Sequence, residues 1–121
     1  MDYARRAMKR HKRHAAVEVD LREAAEWYED AVPGLGNEFV DAVEAAIAAI
    51  LDKPRAWSRV PGVPEDLDIR RYVLERFPYH VPYLLDGQGE VFILAVAHGK
   101  RRPRFWLRRT PSGGPTGSRT R

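Results

Sequence analysis

The chain contains no cysteine, which excludes disulfides and thiolate metal sites and suits a reducing compartment. No apolar run approaches the roughly 20 residues that span a bilayer, so a membrane-embedded protein is not expected. The basic opening residues are followed by no apolar segment of the kind a secretory leader needs, and a cytoplasmic location is the expectation. His11, His14, His80 and His98 show no ligand spacing on a helix, so neither a metal nor any other cofactor is expected.

What is present is ordinary for a folded domain: 121 residues, 44% hydrophobic and 31% charged. The net charge of +4 conceals a division. Between Ala15 and Asp52 the acids Glu18, Asp20, Glu23, Glu26, Glu29, Asp30, Glu38, Asp41, Glu44 and Asp52 are opposed only by Arg22. Between Arg70 and Arg109 the cations dominate, and from Lys100 to Arg109 no acid interrupts them. Such a division bears on partners and association rather than on fold.

Residues 1–14 are cationic and poor in apolar side chains, with room for one edge strand near Met8–Arg13. From Ala15 to Ala31, Val17, Leu21, Ala24 or Ala25, and Tyr28 recur at helical steps. The segment "VPGLG" ends that helix, and a second runs to about Asp52 on the stripe Phe39, Val43, Ile47, Ile50 and Leu51. Two amphipathic helices joined so briefly make an antiparallel hairpin. The connector "KPRAWSRVPGVPED" is too rich in proline for regular structure. Strands are expected over Ile69–Phe77, Tyr79–Leu85 and Glu90–Ala97, the last two joined by the turn "DGQG". Pro82, which cannot donate to a ladder, marks its strand as an edge or a bulge. The apolar run "VFILAVA" is expected as the central strand. Residues 110–121 form a low-complexity tail expected to be disordered. The fold class is α+β, with an N-terminal helical hairpin packed on a small antiparallel β-sheet and one domain over residues 15–109.

The segments "EAAEWYE", "RFPY" and "LAVAHGKRRPRFW", in this order and spacing, resemble the RelE/ParE superfamily of type II toxin–antitoxin toxins, also called plasmid stabilisation proteins. The resemblance runs from about His14 to Arg109. It implies a growth-inhibiting toxin neutralised by a cognate antitoxin in a hetero-oligomer. It also implies one of two targets: DNA gyrase, bound by ParE-like toxins, or ribosomal mRNA, cut by RelE-like endoribonucleases without a metal. The histidine and arginines after the last strand sit closer to the ParE-like end. A small nucleic-acid-binding domain without toxicity is the third alternative.

A ribonuclease needs a proton carrier and cations that stabilise charge on the phosphate. His98, Arg71 and Arg102 are the candidates for that chemistry. As target-binding residues the cluster offers Arg70, Arg71, Tyr79, His80, Lys100, Arg101, Arg102, Arg104 and Trp106. Arginine forks suit phosphate oxygens, and Phe105 or Trp106 could stack bases. Each has a plainer role: His98 as a turn cap, Trp106 and Phe105 as core cover, the acids as a solvated helix face. The mRNA-cutting toxins carry a sequence such as "YRLVY" where this chain has "YHVPY", so His80 replaces an arginine and the resemblance transfers no complete catalytic set.

Overall fold

A computed structural model describes residues 11–111. The first ten residues of the expected basic segment, and the expected tail from residue 112 onward, lie outside the described residues. The elements are β1 (His11–Arg13), α1 (Ala16–Ala31), α2 (Leu35–Asp52), β2 (Ser58–Arg59), β3 (Ile69–Val73), β4 (Tyr79–Leu85), β5 (Val91–Ile93), β6 (Ala97–His98) and a 3-10 helix (Phe105–Arg109).

The helical hairpin forms as its periodicity requires. Val17, Leu21 and Ala24 of α1 and Phe39, Val43, Ala46, Ile47 and Ile50 of α2 are buried in one cluster. Each large side chain in it contributes about 1.5–3 kcal/mol through removal from water. Glu29 fastens the hairpin from α1. Its two carboxylate oxygens accept the Gly34 and Gly36 N–H groups, each at 2.9 Å, and so satisfy donors exposed at the start of α2. Gly36 is required by close approach, since a Cβ there would lie 2.6 Å from the Ala25 carbonyl oxygen.

The sheet order is β1-β5-β4-β3-β2, with β6 also on β4. The β3, β4 and β5 strands pair antiparallel, as expected. Three features differ from expectation. First, β1 pairs parallel with β5, so the sheet is mixed. Second, the connector contains β2, whose Ser58 and Arg59 pair with Arg71 and Arg70. Third, the "VFILAVA" run is neither continuous nor central, and β4 occupies the middle.

The interruption has a physical cause. On β4, Tyr83 pairs with Ile93 and His80 with Ala97, so Val81 and Pro82 face Leu94, Ala95 and Val96. One extra residue is accommodated as a bulge. The Pro82 carbonyl accepts the Leu94 N–H at 2.9 Å, which aims the donorless proline nitrogen at this same break. Proline therefore sits in a central strand because its ladder bond is missing there already. The freed Val96 N–H is taken by Asp20 of α1 at 3.0 Å.

Alternation along β4 divides two cores. Val81, Tyr83 and Leu85 face the helices. On the opposite face, Leu84 joins Val60, Ile69, Leu94, Ala97 and Trp106, under the connector and the 3-10 helix.

Candidate anion-binding recess

Most of the functional candidates gather on the face of the sheet away from the helices. Adjacent residues of a strand point to opposite faces, and β3 applies this to its two arginines. Arg70 faces the helix side, where Nε donates to Asp68 at 2.9 Å and Nη1 to the Arg55 and Trp57 carbonyls at 2.8 and 3.1 Å. It is a strut that holds the connector, not part of a binding surface with Arg71.

Arg71 lies across β4 from the chain that follows β6. The registers Arg71↔Pro82 and His80↔Ala97 carry the surface from one strand to the next. The first and last strands of the meander do not pair; β4 between them joins the two basic groups. After β6 the chain turns at once. Gly99 N–H donates to the Pro78 carbonyl, Arg101 N–H to the His98 carbonyl, and Lys100 N–H to His98 Nδ1 at 2.9 Å. His98 thus caps the turn that aims Arg101 and Arg102.

The result is a recess of about 150 Å³ bounded by Arg71, His80, His98, Arg101, Arg102 and Arg104, with no carboxylate among the described residues that line it. Trp106, only 2% exposed, belongs to the buried cluster beneath it and offers no free face for a base. Phe105 is also engaged, with the Arg101 guanidinium 3.9 Å and that of Arg109 5.3 Å from its ring centre. Tyr79 packs against Tyr28, Phe39 and His98 and does not line the recess. Lys100 is exposed outside it.

The electrostatics are one-sided. Arg13, Arg59, Arg70, Arg76 and Arg109 form the ion pairs among the described residues, and none of these pairs uses an arginine of the recess. Burial, assisted by Arg71, pushes the His80 imidazole down to about 4, so it is neutral at pH 7. A base so far below the working pH is a weak proton acceptor, whereas a neutral ring still offers one N–H donor. Burial first, and Tyr28 second, raise the Tyr79 hydroxyl. The arrangement is suited to hold an oxyanion more than to move a proton.

Gly62, inside "VPGVP", was not among the residues singled out from the sequence. Its φ of +83° and bare Cα admit the Arg104 guanidinium, whose Cζ would be 2.9 Å from an added Cβ. Arg104 itself takes the left-handed φ of 60°. A glycine between prolines was the available signal.

A helical hairpin over a mixed sheet, with a cationic recess on the face away from the helices, defines a small α+β domain. Residues 12–103 match the family model described as ParE toxin of type II toxin–antitoxin system, parDE, and the chain belongs to that family. It is 37% identical over 94 residues to Toxin ParE2 of Mycobacterium tuberculosis, from strains CDC 1551 / Oshkosh and ATCC 25618 / H37Rv alike. The alignment covers 74% of this chain and 81% of each relative. A solved structure titled "Chromosomal ParDE TA system from P. aeruginosa" shares the fold, with a TM-score of 0.61 and 22% identity, over 74% of this chain and 94% of that one.

Proposed function

We propose that this toxin inhibits growth by binding DNA gyrase, and that a cognate antitoxin neutralises it. The observation that carries the reading is the recess. It concentrates arginines that form no ion pair among the described residues around a neutral His80, while His98 Nδ1 is committed to the turn. That set suits binding to a charged target better than cleavage of one. Trp27 on α1 is 72% exposed and supports a protein partner, since exposed tryptophans are frequent anchors in interfaces.

The test is a supercoiling assay with purified gyrase and equimolar toxin. Loss of supercoiling with trapped cleavage complexes is expected, and relief on adding a cognate antitoxin. Indifferent gyrase, together with codon-positioned mRNA cuts in a translating extract, would instead assign the RelE-like ribonuclease activity.

A further inference from the structure

We propose that two copies of this toxin pair about a two-fold axis at the cleft between α1 and β6, with Trp27 as the anchor on each side. The inference does not rest on gyrase as the target, since it concerns the toxin before any target or antitoxin binds.

Three observations carry the assignment. The first is Trp27 itself. It is 72% exposed, whereas Trp106 is buried and Trp57 packs against Tyr72. Covering an indole removes a large apolar area from water, which is the main drive to association on this face. The steps Glu23, Ala24 and Trp27 along α1 place it at a cleft of about 250 Å³, lined also by Tyr79, His98 and Arg101. That volume is below the roughly 300–1,000 Å³ of small-molecule pockets and suits a protruding side chain.

The second observation is the charge pattern. Glu23 on α1 and Arg101 in the turn after β6 are both exposed at the cleft. Neither forms an ion pair among the described residues, with the other or elsewhere. Asp20, the other acid of the cleft, is committed to Arg109 and the Val96 N–H. A patch with a carboxylate on one side and a guanidinium on the other is complementary to its own copy after a half-turn. Glu23 of each copy then meets Arg101 of the other. A partner segment of one charge sign would instead be repelled by one of the two.

The third observation is that the patch is organised in advance. The Arg101 guanidinium lies 3.9 Å from the Phe105 ring centre, and the Arg101 N–H donates to the His98 carbonyl at 3.0 Å. An arginine already held on an aromatic face loses less freedom when it pairs. Ala24 and Val96 are buried in the lining, and an indole over them excludes water from the charged contacts. Arg101 also lines the recess, so copy pairing and target binding compete for that residue.

The experiment is sedimentation velocity on the full chain, purified free of antitoxin, over about a hundredfold range of concentration, since pairing follows mass action. The parent should pass from one mass to twice that mass, and added salt should weaken the pairing. Trp27→Ala should stay at the single mass throughout, with a melting temperature equal to that of the dilute parent. Glu23→Arg and Arg101→Glu should each stay single as well, because like charges then face each other at both ends of the seam. Mixed in equal amounts, these two variants should pair with each other, since every cation again meets a carboxylate. Such rescue excludes misfolding as the cause of the single losses. A parent that remains at the single mass, or a mixture without rescue, would overturn the proposal. So would a dimer indifferent to Trp27→Ala and to both charge reversals, whose seam must lie elsewhere. A Trp27→Ala toxin that sediments like the parent but no longer binds a cognate antitoxin would assign the cleft to the antitoxin instead.

Discussion

The Asp20 carboxylate on α1 accepts a 2.8 Å hydrogen bond from Arg109 Nη1, 89 residues further along the chain. The same oxygen accepts the Val96 N–H at the bulge, and Arg109 also donates to the Leu94 carbonyl at 3.0 Å. One partly buried ion pair therefore joins the first helix, the break in the sheet and the segment that ends the recess. Asp20→Ala should lower stability by about 3 kcal/mol, because it strands a cation and a backbone donor together. Urea unfolding with an unchanged m-value is the measurement. Arg109→Met, which leaves the Asp20–Val96 bond, should cost less.

Trp106 separates core cover from base platform. At 2% exposure it should behave as core, and Trp106→Ala should cost about 3–5 kcal/mol in thermal or urea denaturation. A variant that melts like the parent but loses target binding would restore the platform role.

His80 makes stability depend on pH in a defined window. The unfolded imidazole takes a proton near the ordinary value of 6.5, while the folded one, buried beside Arg71, resists until about 4. Between those values the unfolded state binds more protons, so the contribution is present above pH 6.5 and is lost as pH falls towards 4. Melting curves of the parent and His80→Gln across this range should show a shallower decline in the variant. Parallel declines would show that the carboxylates and other histidines account for all of it.

Gly36 lets the two helices touch. Gly36→Ala would place its methyl 2.6 Å from the Ala25 carbonyl oxygen and 2.9 Å from Glu29 Oε1, disturbing the contact and the cap together. A loss of about 2 kcal/mol is expected from calorimetry, since the nearest obstacle is backbone and not a flexible side-chain end.

Arg101→Glu combined with Arg102→Glu should relieve growth inhibition in cells with at most a small fall in melting temperature, because both residues are exposed, neither forms an ion pair among the described residues, and only the Arg101–Phe105 stacking is lost. His98→Ala should relieve it less, through a loosened turn. Full relief by His98→Ala alone would reinstate a chemical role for that imidazole.

The parts of the fold visible in the sequence were those governed by neighbours in the chain. Helical spacing located α1 and α2, because only one face of each could be buried. "DGQG" marked the hairpin, where Asp86 now accepts the Gln88 and Glu90 N–H groups at 2.8 and 2.9 Å and Gly89 takes a φ of +85°. Pro82 announced an irregular ladder. Arg70 and Arg71 stood together in the sequence as one binding pair, although strand alternation alone sends them to opposite faces.

What tertiary structure decided was every relationship that depends on a distant partner. The split of "VFILAVA" follows from fitting three residues beside two on β4, and no local propensity encodes that count. The burial of Trp106 depends on where the 3-10 helix closes over the sheet. Above all, like charges far apart in sequence become one recess only when β4 lies between their strands, because electrostatic character belongs to distances in space and not to separation along the chain.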